Sequence, residues 1–474
     1  MWPFRNRRKA RASLPGHLRA RYDAAQTTVE NARHWAMADG LSADAAMTAD
    51  VRRTLRNRAR YEAANNSYAK GMVLTVAGDC VGTGPRLQLL SEDNEMNRIV
   101  EQAFAEWSLA VDLAAKLRTM RMAKSTDGEA FVVLVNNPAL EHTVKLDLRL
   151  VEADQVTTPV TAINRPDVVD GIELDGLGSP RAYHLLQEHP GAYGIGPGLV
   201  TSRRIPAAAM IHWFRTDRPG QHRGVPEITP ALPLFAQLRR YTLAVLGAAE
   251  TAADFAAVLY TDAPANGEAT PVEPLDVIEL EKRMATTLPD GWKLGQIKAE
   301  QPGTAYAEFK REILGEIGRC LQVPVNVITG DSSQHNYASG RLDHQTYFKS
   351  LRIEQSHLGR AVMDRIFSAW IAEAALLEAF ALVRSVAALT HQFFWDGIEH
   401  VDPAKEANAQ ATRLASNTTT LAYEYARQGK DWEAELRQRA KERQLMKELD
   451  LSSDESVPPA PEEEDEDDEE RRAA

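Results

Sequence analysis

Cysteine is almost missing from this chain. Cys80 and Cys320 are the only two, far apart and outside any CxxC spacing, which excludes a disulfide scaffold and a cysteine-rich zinc module and fits a reducing compartment. No GKS or GKT triplet occurs anywhere, so no P-loop is present to cradle nucleotide phosphates, and ATP hydrolysis is not expected. Gly194, Gly196 and Gly198 form GxGxG without a following helix pattern and read as a flexible loop. Long apolar runs are scarce too. The most apolar stretch, Trp370 to Leu389, is interrupted by Glu373, Glu378 and Arg384, which would be costly in lipid, so no membrane span or membrane partner is expected. The first twelve residues hold Arg5, Arg7, Arg8, Lys9 and Arg11 but lack the apolar segment and cleavage site of a secretory leader.

What is there suits a large folded body. The 474 residues are 44% hydrophobic and 26% charged, beyond the length at which one core stops growing, so several domains or one elongated subunit are expected. Net charge is -12, unevenly spread: residues 1 to 21 carry +7, and residues 462 to 470 (EEEDEDDEE) carry -9. With these clusters, Arg471 and Arg472 set aside, the body between is itself acidic by 12 charges. Tight nucleic-acid binding draws on a basic surface that releases phosphate counterions, so a sequence-specific DNA-binding adaptor is disfavoured.

Patterning divides the chain. Residues 15 to 77 read as two or three helices, broken at Gly78 to Pro85 and followed by helices near Asp93 to Leu109 and Leu113 to Lys124. Phe131 to Val135 is a continuous apolar run, while Val144, Leu146, Leu148 and Leu150 alternate with polar residues as a half-buried strand does. Gly171 to Leu174, Arg181 to Leu186 and Ala209 to Phe214 are expected to extend the same sheet, making an α+β domain. From Thr229, a capping residue before Pro230, a long helix runs to about Leu259. A Pro-rich segment, 262 to 303, separates it from a helix starting near Tyr306 and ending at Val323-Pro324. The polar stretch 328 to 340 precedes another long helix through Leu351, Leu358, Val362, Ile366 and Trp370. A charged helix lies near Asp431 to Leu449, before an acidic tail of the composition that stays disordered.

Chemical constellations are weak. His184, His189, His212 and His222 cluster in sequence without HExxH or CxxH spacing and read as ordinary strand and loop histidines rather than a metal site. Ser179 does not sit in a GxSxG elbow. No catalytic, cofactor-binding or metal residue is assigned. Two segments stand out. Arg203, Arg204, Arg215, Arg218 and Arg223 lie in a strand and Arg-rich loop that reads either as inter-segment salt bridging or as a subunit or phosphate contact. The segment Asp331 to Gly340 has short polar side chains at Asp331, Ser332, Ser333, Asn336 and Ser339 and bulkier ones at Gln334, His335 and Tyr337, with Gly330 and Gly340 placed to act as hinges, and reads either as a mobile functional loop or as a surface connection.

Four stretches resemble the lambda-type family of tailed-phage portal proteins: RARYDAAQTT (19 to 28), VRRTLRNRARYEAANNSYAKGMVLTVAGDCVGTGPRLQ (51 to 88), SRRIPAAAMIHWFRTDRPGQHRGVPEITPAL (202 to 232) and AYAEFKREILGEIGRCLQVPVNVITGDSSQHNYASGR (305 to 341). Cys80 departs from the small or β-branched residue of the pattern and is expected to act as a small apolar side chain. The resemblance implies a non-enzymatic, ring-forming subunit, usually in a dodecamer, at one vertex of the virion's capsid, assembled in the host cytoplasm, through which double-stranded DNA of any sequence is packaged and ejected. It implies an N-terminal wing over 1–227, a stem helix over 228–260, a clip over 261–304, a second stem helix over 305–328, a tunnel loop over 329–340, and a long helix with C-terminal wing or crown helices over 341–450, before the acidic tail at 451–474. Asp331, Ser332, Ser333, Gln334, His335, Asn336 and Tyr337 would then face the DNA, and the five arginines above would be subunit contacts. Implied partners are the terminase large subunit, major capsid and scaffold proteins and head-tail connector proteins, with no cofactor. A phage-encoded capsid maturation hydrolase is the alternative.

Overall fold

A computed structural model describes residues 29, 32–192, 201–254, 258–261, 292–295, 304–334, 336–378, 380, 389–397 and 403–451. It opens with the short helix α1 (Ala43–Ala46), then α2 (Ala49–Asn65) and α3 (Ser67–Val81). Asn66 both ends α2 and caps α3, its Oδ1 accepting from Tyr68 N–H at 3.0 Å. Strand β1 (Arg86–Leu89) leads to α4 (Asn94–Ala110) and α5 (Leu113–Asp127), each within three residues of its expected bounds. Cys80 is fully buried, and burial pushes its thiol up to about 12, so it packs as an apolar side chain.

The strands between residues 129 and 214 make two sheets where one was expected. Strands β2 (Glu129–Asn136) and β3 (Leu146–Val151) pair antiparallel with Val132 opposite Leu150, and β8 (Met210–Phe214) pairs on the other side of β2 with Phe131 opposite His212. The remaining strands, β4 (Val168–Val169), β5 (Ile172–Leu174), β6 (Pro180–Leu186) and β7 (Ser202–Pro206), form a separate four-stranded antiparallel sheet. Phe131, Val133 and Val151 of the first sheet pack with Ile172, Tyr183, Leu185 and Ile205 of the second, while Ala130, Val132, Leu146 and Leu148 join the main helical core. That double coverage is why β2 is apolar at successive positions, as strands buried on both faces are. Alternation in β3 has the opposite cause: Asp147 points outward to Lys116 at 2.6 Å.

Next comes the helical part. The chain enters α6 (Leu232–Asp254) through a 3-10 turn, Thr229–Ala231, carrying Pro230. Thr229 does not act as the expected cap: its hydroxyl is buried without a hydrogen-bond partner. Strands β9 (Val258–Thr261) and β10 (Trp292–Gly295) pair antiparallel, and α7 (Thr304–Gly318) packs back on α6 through Tyr241, whose ring lies 5.0 Å from that of Phe309. Most of the expected clip segment, 261–304, lies outside the described residues. Helix α8 (Val325–Thr329) precedes α9 (Tyr337–Leu358), which continues through one π-helical turn, Gly359–Met363, into α10 (Asp364–Ala374). Strand β11 (His391–Phe394) returns to pair with β1, about three hundred residues away in sequence. Helices α11 (Pro403–Ala415), α12 (Leu421–Arg427) and α13 (Trp432–Glu448) close the described chain.

Phe104 of α4 sits at the centre of the main core. Its ring contacts Trp370 at 5.3 Å and Phe367 at 5.7 Å, both edge-to-face, and Trp107 beside it donates to the Leu146 carbonyl at 2.8 Å. Deleting so large a buried ring leaves a cavity as well as lost transfer energy. Phe104→Ala should cost about 3–5 kcal/mol in urea unfolding, whereas exposed Leu109→Ala on the same helix should stay within about 0.5 kcal/mol; equal effects would contradict this core.

Candidate functional site

Two buried charge clusters occupy the junction between the sheets and the helical hairpin of α6 and α7. The first centres on Glu129, at the start of β2. It exists because two glycines let the backbone close up: Gly128 ends α5 in the left-handed region (φ +89°), and a Cβ at Gly128 or at Gly224 would fall inside the backbone of the other segment. Arg223 is thereby brought against Glu129, with Nε at 3.0 and 2.9 Å from its two oxygens and Nη2 at 2.6 Å. Its remaining donors reach the carbonyls of Val156 at 3.0 Å, Asp170 at 2.5 Å and Ala153 at 3.2 Å, and the guanidinium lies over the Phe131 ring at 5.2 Å. Gly224 N–H donates to Glu129 at 2.9 Å, and His212 of β8 lies 3.0 Å from it. Burial alone would raise the Glu129 carboxyl, but the charge of Arg223 and the hydrogen bonds from His212 and Arg223 hold it well below the usual carboxylate range. Burial pulls His212 below its ordinary value, so the ring is neutral and donates through Nε2 to the acceptor-only carboxylate.

The second cluster lies on Glu227, just before α6. Arg121 Nη1 donates to it at 2.8 Å, Lys124 lies 3.8 Å away and Arg215 3.7 Å away. Lys124, fully buried, also pairs with Glu354 of α9 and sits 4.6 Å over the Trp213 ring. Burial would raise Glu227; the charges of Arg121, Lys124 and Arg215 override it and lower the group. Glu354 and Glu227 thus tie α9 and the root of α6 to α5 through one buried ammonium and one guanidinium.

The sequence-derived candidates fare unequally. Arg223 is almost fully buried and spent inside the chain, which corrects its expectation as a subunit contact: the loop's bland reading, inter-segment pairing, holds there. Arg204 pairs with Glu173 at 2.8 Å, Arg215 with Asp217 at 2.7 Å, and Arg218 donates to the Leu41 carbonyl at 2.9 Å, all three remaining exposed, as does Arg203. The polar loop is shorter than expected. Gly330 ends α8 at φ +68°, Asp331, Ser332, Ser333 and Gln334 are exposed, and Asn336 caps α9 in a reciprocal box with Ser339 (2.8 and 3.2 Å). Tyr337 to Gly340 are therefore the first turn of a helix, and Gly340 is no hinge. His335 lies outside the described residues. Nothing in the sequence marked Glu129, Glu227, Lys124 or Glu354; an acid opening an apolar strand and a lysine on a packed helix face were the available signals.

The histidines face acids instead of one another: His184 to Glu173 at 3.0 Å, His212 to Glu129, and His222 to Asp44 at 2.7 Å. Glu152, Asp154 and His189 bring their ligand atoms within 4.8 Å of one another, yet Arg56 and Arg60 already lie 2.7 and 2.9 Å from Asp154, and Arg60 lies 3.2 Å from Glu152. Those two guanidinium charges occupy the place a cation would take. Among the described residues no serine hydroxyl is hydrogen-bonded to a histidine, and burial raises the Cys320 thiol to about 11, so no activated nucleophile is assembled.

Buried carboxylates held low make stability sensitive to acid. Glu129 and Glu227 contribute above the unfolded carboxyl value of about 4.3 and lose that contribution as pH falls below it, while His212 adds a loss below about 6.5 because the unfolded ring takes a proton more readily. Glu129→Gln should cost roughly 3 kcal/mol at pH 7, because Arg223 loses its buried carboxylate and keeps only that of Asp170, 3.3 Å away, and the gap to the unaltered protein should narrow on acidification, as read by urea unfolding at pH 7 and at about pH 4. A gap independent of pH would contradict the assignment.

The model of the family "Phage portal protein, lambda family" matches residues 30–355. A probable portal protein of Halomonas phage phiHAP-1 is 25% identical over 407 residues, covering 80% of this chain and 77% of that protein. Among solved structures, a chain of the virion of a native gene transfer agent (GTA) particle shares 13% identity at a TM-score of 0.46, covering 79% of this chain and 92% of that one. A chain of the neck of the empty GTA particle shares 15% at a TM-score of 0.47, covering 79% and 93%. With a family model matching well over half of its length, this chain belongs to the lambda family of phage portal proteins.

Proposed function

We propose that this chain is one wedge of an oligomeric ring, a dodecamer by family habit, at a capsid vertex, through which double-stranded DNA is packaged and later ejected. The observation that carries the reading is the family match over residues 30–355. Residues 1–227 are the wing, α6 and α7 lie in the stem over 228–260 and 305–328, residues 261–304 are the clip, and the helices from α9 onward return to wing and crown over 341–450. The terminase large subunit, the capsid and scaffold proteins and the head-tail connectors are the docking partners, and the ring belongs to the virion after assembly in the host cytoplasm.

Three physical features support this. Leu243, Leu246 and Phe309 of the hairpin are 62%, 53% and 49% exposed, apolar surface that a neighbouring copy would cover. Arg203, Arg204, Arg215 and Arg218 are exposed and stand as candidate contacts, with Arg223 withdrawn. The acidic body suits a channel in which duplex must slide, since each fixed cation on a phosphate adds affinity and drag. The loop from Gly330 to Asn336 then meets DNA with short polar side chains and no fixed positive charge.

Removing Ser332, Ser333 and Gln334 spares Asn336 and its cap. Particles carrying this deletion should assemble normally and package or retain shorter genomes, measured by sizing encapsidated DNA. Full-length, fully retained genomes would show that the loop does not meet DNA.

A further inference from the structure

Helix α13 buries no residue, and every position from Leu436 to Leu451 is exposed. Its attachments are confined to its first turn: Asp431 accepts from Ala434 N–H at 2.8 Å and from Gln88 Nε2 at 3.0 Å, and Lys430 lies 3.8 Å from Glu435. Beyond Arg437, which pairs with Glu433 at 3.6 Å, Arg439, Arg443 and Lys447 recur at intervals of four and so line one face. No ion pair is described for any of the three. The two acids on this part of the helix, Glu442 and Glu448, are instead hydrogen-bonded by Gln438 at 3.0 Å and Gln444 at 3.2 Å. Like charges four residues apart destabilise a helix, and no packing against the body offsets that here. Leu436 and Met446, 39% and 47% exposed, flank the same stripe. A projecting helix with an uncompensated cationic stripe calls for an anionic cover.

We propose that the acidic segment 462–470 of this chain folds back along the Arg439, Arg443 and Lys447 face of α13 and masks it from other polyanions, duplex DNA among them. Charge and reach both favour this occupant. The segment offers nine carboxylates in succession and no cation. Ten residues, 452 to 461, separate it from the last described residue. Extended, they span roughly 33–36 Å, against about 25 Å for the 17 residues of α13 at 1.5 Å each. The acids can therefore lie antiparallel over the whole stripe without unwinding the helix. Nine charges on three leave the covered helix net negative, so a basic surface on an acidic protein is presented only when the tail is displaced. This contact stands apart from the channel reading, since it needs only α13 and the tail.

Two measurements on the full chain test it. Zero-length carbodiimide coupling joins a lysine Nζ to a carboxylate in direct contact; it should link Lys447 to residues 462–470 at low ionic strength, with loss of the link in about 0.5 M salt, where the screening length falls below about 5 Å. Binding of a labelled duplex of about 20 base pairs should tighten when residues 462–470 are neutralised to Gln and Asn. The gain should carry a log–log salt slope steeper by roughly 2–3, at about 0.9 per phosphate contact, and should vanish when Arg439→Glu, Arg443→Glu and Lys447→Glu are added. Those reversals touch no buried residue, and circular dichroism checks that α13 persists. Absence of the links, absence of the gain, or a gain that survives the reversals would each overturn the proposal.

Discussion

A carboxylate taken out of water keeps its charge only where donors and cations meet it; otherwise it takes up a proton. Glu129 is such a group, and the surroundings of the two sheets follow from it. Its partners come from β8, from the Arg223 loop and, at 3.9 Å, from Arg56 of α2, while the same Arg223 reaches the carbonyls of Val156, before the second sheet, and of Asp170, in the turn between β4 and β5. One buried charge thereby ties β2, β8, the loop before α6 and α2 together. Glu227 repeats the arrangement one level out, where Lys124 and Arg121 bind it together with Glu354. The hairpin of α6 and α7 therefore leaves a fixed base, and α9 returns to the same base.

Much of this frame was legible in the residues. Helical spacing placed α4 and α5, and alternation placed β3, because those signals arise from local contact with a single core. The two-sheet arrangement was not legible, since a strand pattern says how a strand is buried but not which strand lies beside it; β1 and β11 meet only through the folded helices between them. Burial of Arg223 was hidden for a related reason. An arginine in a Pro- and Gly-rich loop looks exposed, and only the close approach of Gly128 and Gly224 turns it inward. The start of α9 was misjudged because Asn336 and Ser339 read as turn residues, although spaced as a capping pair.

The buried clusters tie the root of α6 and the middle of α9 to α5. The same rigidity presents Leu243, Leu246 and Phe309 in one constant geometry, which a closed ring requires, because each heterologous contact must repeat with the same rotation if the last subunit is to meet the first. A rotation that divides a full turn closes the ring, and one that does not runs on as a filament.

Native mass measurement with negative-stain imaging of the purified full chain tests that claim most directly. The account predicts one dominant species whose mass is an integral multiple of 52.5 kDa, seen end-on as a closed ring with a central opening. A stable 52.5 kDa monomer, or open filaments without closure, would contradict it.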